Sequence, residues 1–449
     1  MGNLLYNIIR FFVKYVYLKL VFYKVEKTGW EKIPKDVPIL FAVTHPLMYI
    51  DALVLGCSYH KPLYFITKST VFKGKFNKWL FQKLNMIPVV RKQDVPKGQP
   101  FSNKDMFKHC IDTLTKGGDI LIFSEGTSIW ERKLRGLKSG TARIALETEV
   151  ANQFQSNVHI VPVALNYTHI GSVFPSVSIE IGDPIQVRDY KEDYEKNSGK
   201  TAQEITKKIE EEILKSYFTL PNLEAEAPLV QAVTMYTETT PFKRKQSLRD
   251  YFHYLNKGLD FLEKLSENQL NTIKEKIENY DNLLKKNKIK DESFWHTEKN
   301  FKSVFSLVFR SMITLLILPF HWVNWILNKI PYKLSKSIAL KTSDEMEVWG
   351  ANLIALCGII FPIFYFTYLM IAYFLAGGFV WYTFLVVLIF PFFTYASYFF
   401  NSYIHFLLSD WRVFLLSKRN KTAYQSIKKE RKEIIEAIDL IINQHGKEA

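Results

Sequence analysis

Of the side-chain pairs in this chain that could move a proton, His45 and Asp51 are the first to consider. They sit in FAVTHPLMYIDALVLG, residues 41–56. An apolar run with the character of a buried strand ends in Thr44-His45-Pro46, and Asp51 follows inside an otherwise apolar helical stretch. Pro46 suits a first helical turn, where its missing N–H costs nothing. That predicts His45 as the N-cap at the carboxyl end of a strand, with Asp51 almost two turns in. A histidine outside the helix is free to swing toward Asp51. The pair then fits a base and its orienter: Asp51 accepts Nδ1–H and fixes the tautomer, while Nε2 takes a proton. A capping histidine beside an unrelated aspartate fits the same spacing, and spacing alone leaves both open.

A second stretch carries polar chemistry to the same kind of place. DILIFSEGTSIWERKLRGLKSGTARIALE, residues 119–147, runs strand, polar turn, basic segment, helix. Glu125 and Gly126 follow the carboxyl end of a strand, the edge at which open α/β sheets bind ligands. Gly126, Thr127 and Ser128 offer backbone N–H and hydroxyl donors. Arg132, Lys133, Arg135, Lys138 and Arg143 surround them with positive charge, which suits a phosphate. The G-x-x-x-x-G-K-[ST] spacing of a Walker A loop is absent. A third strand, MIPVV, delivers Arg91 and Lys92 to an edge. The sequence does not say whether the three edges coincide.

These residues need a scaffold, and the pattern supplies one. VPILFAV, LYFIT, MIPVV, DILIF, HIVPVAL and VSIEIG read as strands, with helical stretches between them, notably around 102–116 and 137–150. Strand–helix alternation predicts an α/β fold with a largely parallel or mixed sheet flanked by helices. TAQEITKKIEEEILKSYF closes the unit as an amphipathic helix.

The rest of the chain has another character. Aromatic residues make up 15% of the 449, and the formal net charge is +15, so a membrane-facing part and anionic partners are expected. Residues 351–400 contain no charged side chain. One bilayer crossing needs about 20 apolar residues, so this segment, broken at Gly377-Gly378, predicts a C-terminal helical membrane hairpin. VFSLVFRSMITLLILPFHWVNWIL carries Arg310, Pro319 and His321 and has lysines at both ends. A third crossing would put those basic flanks on opposite sides, against the positive-inside tendency, so a re-entrant or interfacial helix is expected there. Residues 3–23 read as a helix lying in the membrane interface, with Arg10, Lys14, Tyr17 and Val21 on one face and Lys19 snorkelling. No signal-peptide cleavage site follows it, and Tyr6 disfavours N-myristoylation. Cys57, Cys110 and Cys357 are far apart and form neither a disulfide framework nor a zinc site. No nucleic-acid motif accompanies the basic surplus, much of which flanks apolar segments as expected near anionic leaflets.

Taken together, the blocks around His45, Arg91 and Glu125 resemble the glycerolipid acyltransferase family, the PlsC-like enzymes that acylate glycerol 3-phosphate or lysophosphatidate. That family has four blocks in order. Its His–Asp block usually has four residues between; here there are five, Pro46 to Ile50, as in a glycerol-3-phosphate acyltransferase-like branch. The second block is matched by Val89-Val90-Arg91. The third, F-P-E-G, is matched by Phe123-Ser124-Glu125-Gly126 with serine for proline, and LKSGTARIAL resembles the Lys-x-Gly stretch that follows it. The fourth is an apolar strand with a central proline, matched by Ile160-Val161-Pro162-Val163. The match covers about residues 37–190.

The resemblance implies transfer of an acyl group from a thioester, acyl-CoA or acyl-ACP, to a hydroxyl of a phosphorylated glycerol. It assigns His45 and Asp51 to catalysis and Arg91, Glu125, Gly126, Thr127, Ser128 and Lys138 to the substrate. Ser128 stands where many members carry arginine, which shifts phosphate binding toward Arg91 and Lys138. No metal or cofactor is implied; membrane lipid, and acyl carrier protein where it carries the acyl group, are the implied partners. The expected organisation is an interfacial helix at 1–36, the acyltransferase domain at 37–221, and a helical linker region at 222–300. Membrane-associated helices at 301–416 and a basic tail helix at 417–449 complete it, with the catalytic domain on the cytoplasmic face. The competing expectation is a non-catalytic membrane protein whose α/β domain binds anionic lipid.

Overall fold

A computed structural model describes residues 4–91, 94–95, 102–128, 132–168, 175–220, 230, 235, 247–263, 267–293, 304–343, 346–375, 377–378 and 381–445. Lys92 and the first residues of the linker region expected at 222–300, 222–229, lie outside the described residues. The chain divides into two compact units. One comprises Met1–Pro221, Ser247–His253 and Ala339–Ala355; the other comprises Asn222–Gln246, Tyr254–Ile338 and Leu356–Ala449.

The first unit is built on a mixed eight-stranded sheet. Its strands are β1 (Lys24–Thr28), β2 (Ile39–Val43), β3 (Leu63–Lys68), β4 (Met86–Val89), β5 (Asp119–Phe123), β6 (His159–Tyr167), β7 (Ser176–Ile181) and β8 (Ile185–Gln186). The order is β1-β7-β6-β2-β5-β3-β4, with β8 beside β6. All pairs are parallel except β6/β7 and β6/β8. Every residue of β2 is buried, as an unbroken apolar run in a doubly covered parallel strand must be.

The two strand prolines fall where no ladder N–H is required. Pro88 lies on the edge strand β4. Pro162 lies between the β8 ladder, which reaches Ile160, and the β7 ladder, which starts at Val163. β1 was not legible as a strand: KVEKT has no apolar run, and only its parallel pairing with β7 extends it.

Helices cover both faces. α3 (Tyr49–Ser58) joins β2 to β3, and α4 (Lys75–Lys83) joins β3 to β4. α5 (Lys104–Thr115), α6 (Gly140–Ala151), α7 (Lys191–Lys196) and α8 (Ser198–Leu214) follow. Phe41 and Val43 face a core with α3, while Leu40 and Ala42 face one with α5, α6 and α8, the alternation a strand imposes.

The N-terminal segment is α1 (Leu4–Phe12), a π turn (Val13–Tyr17) and α2 (Leu18–Val21). Its Arg10 face packs on the sheet domain. The Arg10 guanidinium donates to the carbonyls of Gly56 (3.2 Å) and Tyr59, and Tyr6 Oη accepts the Leu63 N–H. Leu4, Ile8, Phe11 and Phe12 are left exposed.

The second unit contains most of α9 (Leu248–Glu263), α10 (Glu267–Asn287), α11 (Val304–Lys341), α12 (Met346–Leu375), α13 (Trp381–Arg419) and α14 (Lys421–His445). The charged helix α10 is not simply solvated: Ile273, Ile277, Tyr280 and Leu284 share a core with Val413, Ile427 and Ile434. Arg431–Asp291 (2.8 Å) and Lys276–Glu433 (2.7 Å) pair beside that core.

The segment expected as a re-entrant or interfacial helix lies within α11, one unbroken helix of 38 residues with Pro319 and Pro331 inside it. Its polarity is inverted. Thr314, His321, Asn328 and Ser335, seven residues apart, are buried, while Leu315, Leu316, Phe320, Trp322 and Ile326 are exposed. Asn328 Oδ1 accepts from Tyr365 Oη (2.7 Å), His321 Nδ1 meets Ser397 Oγ (2.6 Å), and Arg310 pairs with Asp410 (2.8 Å). An apolar exterior over a hydrogen-bonded polar seam is what an apolar solvent selects, with Arg310 Nε and Asp410 Oδ1 the atoms of this seam left buried without a hydrogen bond among the described residues. Among the described residues, two helices, Val304–Lys341 and Val348–Leu375, are long and apolar enough to cross a membrane. The expected break at Gly377-Gly378 separates α12 from α13, both glycines having positive φ.

Candidate active site

Because β2, β5, β3 and β4 are mutually parallel, their carboxyl ends share one edge. That edge carries His45 after β2, Glu125 after β5, Lys68 at the end of β3 and Arg91 after β4. Neighbouring strands lie about 4.8 Å apart.

His45 Nδ1 lies 3.0 Å from Asp51 Oδ2. Asp51 is fully buried, whereas the His45 side chain keeps 16% exposure. The same Oδ2 accepts the Leu47 N–H (2.8 Å), and Oδ1 accepts from Tyr167 Oη (2.7 Å). Burial pushes the Asp51 carboxyl up from its ordinary range, and the hydrogen bonds from His45, Tyr167 and Leu47 pull it back. The imidazole stacks on Phe123, with ring centroids 3.6 Å apart and planes at 10°. With Nδ1 held by a carboxylate, the neutral ring carries its proton there and its lone pair on Nε2.

The helix does not start where Pro46 suggested. α3 begins at Tyr49, its N-cap is Met48 with φ +49°, and Asp51 lies in the first turn rather than two turns in. His45 is therefore not the cap. The chain runs through Pro46-Leu47-Met48 first. Asp51 holds the Leu47 N–H from inside the helix, and the Met48 N–H donates to Ser128 Oγ at 3.0 Å. A contact between residues 80 positions apart overrides the local cap rule.

The Glu125 loop is a brace. Phe123 C=O accepts the Gly126 N–H (3.0 Å), closing a turn with Ser124 in the second position, where proline or serine is accommodated. Ser124 Oγ meets Thr141 Oγ1 at 2.9 Å and pins the turn to α6. Glu125 Oε1 accepts the His45 N–H (3.0 Å) and Oε2 the Arg135 N–H (3.2 Å). Expected at the substrate, Glu125 engages both carboxylate oxygens with backbone, and burial pushes its carboxyl up. The Gly126 N–H, expected as an anion donor, is committed to its own turn. A Cβ at Gly126, where φ is +71°, would sit 2.5 Å from Lys138 Nζ; the lysine lies directly against the loop. Thr127 and Ser128 remain partly exposed beside it.

The positive charge is less concentrated than the sequence suggested. Arg132 is buried, donates to the carbonyls of Tyr167 (2.7 Å) and Thr168 (3.1 Å), and stacks over Phe218. Arg143 pairs with Glu147 and lies over Phe107. Arg91 forms a two-point pair with Asp94, 2.8 Å at each contact, and this holds the Asp94 carboxyl below its usual range. Three strand spacings separate β2 from β4, about 14 Å. Three residues of this edge escaped the sequence reading. Tyr167 ends the apolar run of β6, Thr44 Oγ1 accepts the Leu165 N–H (2.9 Å) and fixes the strand end before His45, and Lys68 ends β3 between Glu125 and Arg91. A polar residue closing each apolar strand was the available signal.

Residues 24–166 match the Acyltransferase family profile, an interval that contains His45, Asp51, Arg91, Glu125 and Lys138 and stops one residue short of Tyr167. The chain carries an acyltransferase domain. Residues 229–449 match a second profile, the glycerol-3-phosphate acyltransferase 2 C-terminal domain. The acyltransferase domain is similar to a chloroplastic 1-acyl-sn-glycerol-3-phosphate acyltransferase of Arabidopsis thaliana, 29% identical over 158 residues, covering 35% of this chain and 39% of that protein. It is also similar to one of Brassica napus, 29% identical over 160 residues and covering 35% and 41%. This chain thus spans about two-fifths of the length of these relatives. The crystal structure of the 1-acyl-sn-glycerophosphate acyltransferase PlsC from Thermotoga maritima is 23% identical, covers 48% of this chain and 81% of its own, and superposes with a TM-score of 0.33.

Within the acyltransferase domain, burial pushes the thiols of Cys57 up to about 11 and Cys110 up to about 12, so neither offers a thiolate near neutral pH. Among the described residues, no three His, Cys, Asp or Glu side chains cluster as metal ligands.

Proposed function

We propose that this protein is a membrane-bound O-acyltransferase that moves a fatty acyl group from a thioester to a hydroxyl of a phosphorylated glycerol. Glycerol 3-phosphate is the leading acceptor and lysophosphatidate the second. The observation that carries the reading is the His45–Asp51 contact of 3.0 Å, which engages Nδ1 and leaves Nε2 to serve as the base.

An alcohol is a weak nucleophile at neutral pH unless a base takes its proton as it attacks. His45 Nε2 accepts that proton while the hydroxyl oxygen bonds to the thioester carbonyl carbon. Collapse of the tetrahedral adduct breaks the C–S bond, and the departing thiolate takes the proton from the imidazolium. Asp51 holds the tautomer and stabilises the transient positive ring. No acyl-enzyme, metal or cofactor enters; acyl-CoA or acyl-ACP is the co-substrate. Arg91 and Lys138 hold the acceptor phosphate, with Thr127 and Ser128 offering hydroxyls, and Glu125 positions the His45 backbone. The preference for glycerol 3-phosphate is supported by the five-residue His–Asp spacing and by the profile matched at 229–449. The apolar face of α1 and the spans of the second unit hold the protein at the bilayer, with the catalytic domain on the cytoplasmic side.

The test is acyl transfer by the full chain in membranes, with a labelled acyl thioester and each acceptor in turn. Transfer to a phosphorylated glycerol, lost in His45→Ala while thermal stability is kept, is the expected result. Near-normal turnover in that variant sinks the base assignment. Absence of transfer to any phosphorylated glycerol, with anionic vesicles still bound, favours a lipid-binding role instead.

A further inference from the structure

We infer that α4 is a membrane-docking element in its own right, seated on an anionic bilayer surface. α4, KFNKWLFQK, half-buries Leu80 and Phe81, the latter against Phe72, and leaves Phe76 68% and Trp79 50% exposed. Their rings lie 6.0 Å apart and form one aromatic surface. Exposed lysines 73, 75, 78 and 83 surround it, and residues 69–84 contain no acidic side chain. An aromatic pair ringed by lysines is poorly suited to water and well suited to a headgroup layer, where rings enter the interface and ammonium groups meet phosphates.

Topology places this surface beside another of the same kind. β2-α3-β3 and β3-α4-β4 step across the parallel sheet in the same direction. Right-handed crossovers therefore put α3 and α4 on the same face of the sheet. α1 packs on α3 through Arg10 and Gly56 and exposes Leu4, Ile8, Phe11 and Phe12. The crossover from β4 to β5 steps the other way, and α5 accordingly lies in the opposite core. One face of the domain thus carries the apolar surface of α1 and the aromatic–basic surface of α4. Charge complementarity commits the occupant of the latter to anionic lipid.

The test reads the position of α4 directly and is independent of acceptor and catalysis. The full chain, with Cys357→Ala and Trp79→Cys, is labelled with an environment-sensitive fluorophore; the two remaining thiols are buried. A control carries the label at Lys207→Cys on α8. Both are reconstituted in phosphatidylcholine vesicles with or without phosphatidylglycerol, and quenched by brominated acyl chains. The expected result is a blue-shifted, several-fold more quenched label at 79 than at 207, strongest with phosphatidylglycerol and reduced when Phe76→Ser is added. Equal, water-like signals at both positions in both vesicles overturn the inference. A shift at 79 that tracks protein-to-lipid ratio rather than lipid charge also overturns it, since that identifies a second copy as the occupant.

Discussion

The two ends of the central strands solve the same electrostatic problem with nearly the same parts. At the carboxyl edge, buried Asp51 accepts from a backbone N–H, a tyrosine hydroxyl and His45. At the amino edge, buried Asp119 accepts the Ile39 N–H (2.9 Å) and Tyr59 Oη (3.0 Å), with Lys61 Nζ at 3.8 Å. In both cases burial pushes the carboxyl up and the partners pull it back. The difference lies in the third partner. Lys61 ends the chain of contacts, whereas His45 carries a second ring nitrogen on a side chain that keeps 16% exposure. A buried, satisfied carboxylate is therefore no mark of catalysis; what it holds, and what that group can pass on, decides.

The sharpest way to break this comparison is the same isosteric change at both ends. Asp51→Asn should lower acyl transfer by about 10³–10⁴-fold, because an amide N–H facing Nδ1 forces the proton onto Nε2 and removes the base. Steady-state kinetics beside a melting curve checks this; a loss below tenfold would remove Asp51 from the mechanism. Asp119→Asn should leave turnover per folded molecule unchanged and cost about 1–3 kcal/mol of stability, read from denaturant unfolding of the reconstituted chain.

Next come the two tyrosines. Tyr167→Phe removes one hydrogen bond to a charged group, worth about 1.5–3 kcal/mol. It should reduce kcat about tenfold or more with KM little changed and displace the pH–rate profile. Tyr59→Phe should lower stability alone. A pH profile for Tyr167→Phe that overlays the wild type would leave that residue a purely structural role.

The pH dependence of stability carries a definite sign. Asp119 has a folded pKa above its ordinary value of 3.8, so its contribution is fully present below that value and is lost as pH rises through the folded pKa. The stability advantage of wild type over Asp119→Asn should narrow as pH rises from about 4. A gap that widens over that interval would mean that ionisation of Asp119 supports the fold. The smallest effect is expected at Arg91. Asp94→Asn releases the guanidinium from its two-point pair and should lower KM for the phosphorylated acceptor by a few-fold, consistent with a partly exposed ion pair worth about 1 kcal/mol. An increase in KM would mean that Asp94 orients Arg91 rather than competing for it.

Six strands, the closing helix and the glycine break after α12 were legible, because apolar runs and turn residues encode them within a few positions, whereas the His45–Asp51 spacing left a capping histidine equally open and the 3.0 Å contact decided it. What escaped depended on distant partners. β1 is a polar edge strand made by β7. The start of α3 is set by Ser128 rather than Pro46. Arg132, read as part of an anion site, is drawn inward by two carbonyls and an aromatic ring. The basic flanks of the segment around Arg310 and His321 argued against a crossing and said nothing of its length, whereas the pairing of Arg310 with Asp410 and of His321 with Ser397 lies 76 to 100 positions away.

By itself, then, the sequence determined which side chains could do chemistry and at which strand ends they sit, since strand alternation and residue type are local properties. Only the tertiary structure decided that the ends of β2, β5, β3 and β4 form one edge, and that Tyr167 joins Asp51 across 116 positions. It also decided that Glu125 and Arg132 serve the backbone. A hydrogen bond is satisfied by whichever partner folding brings within 3 Å, and chain separation places no limit on that choice.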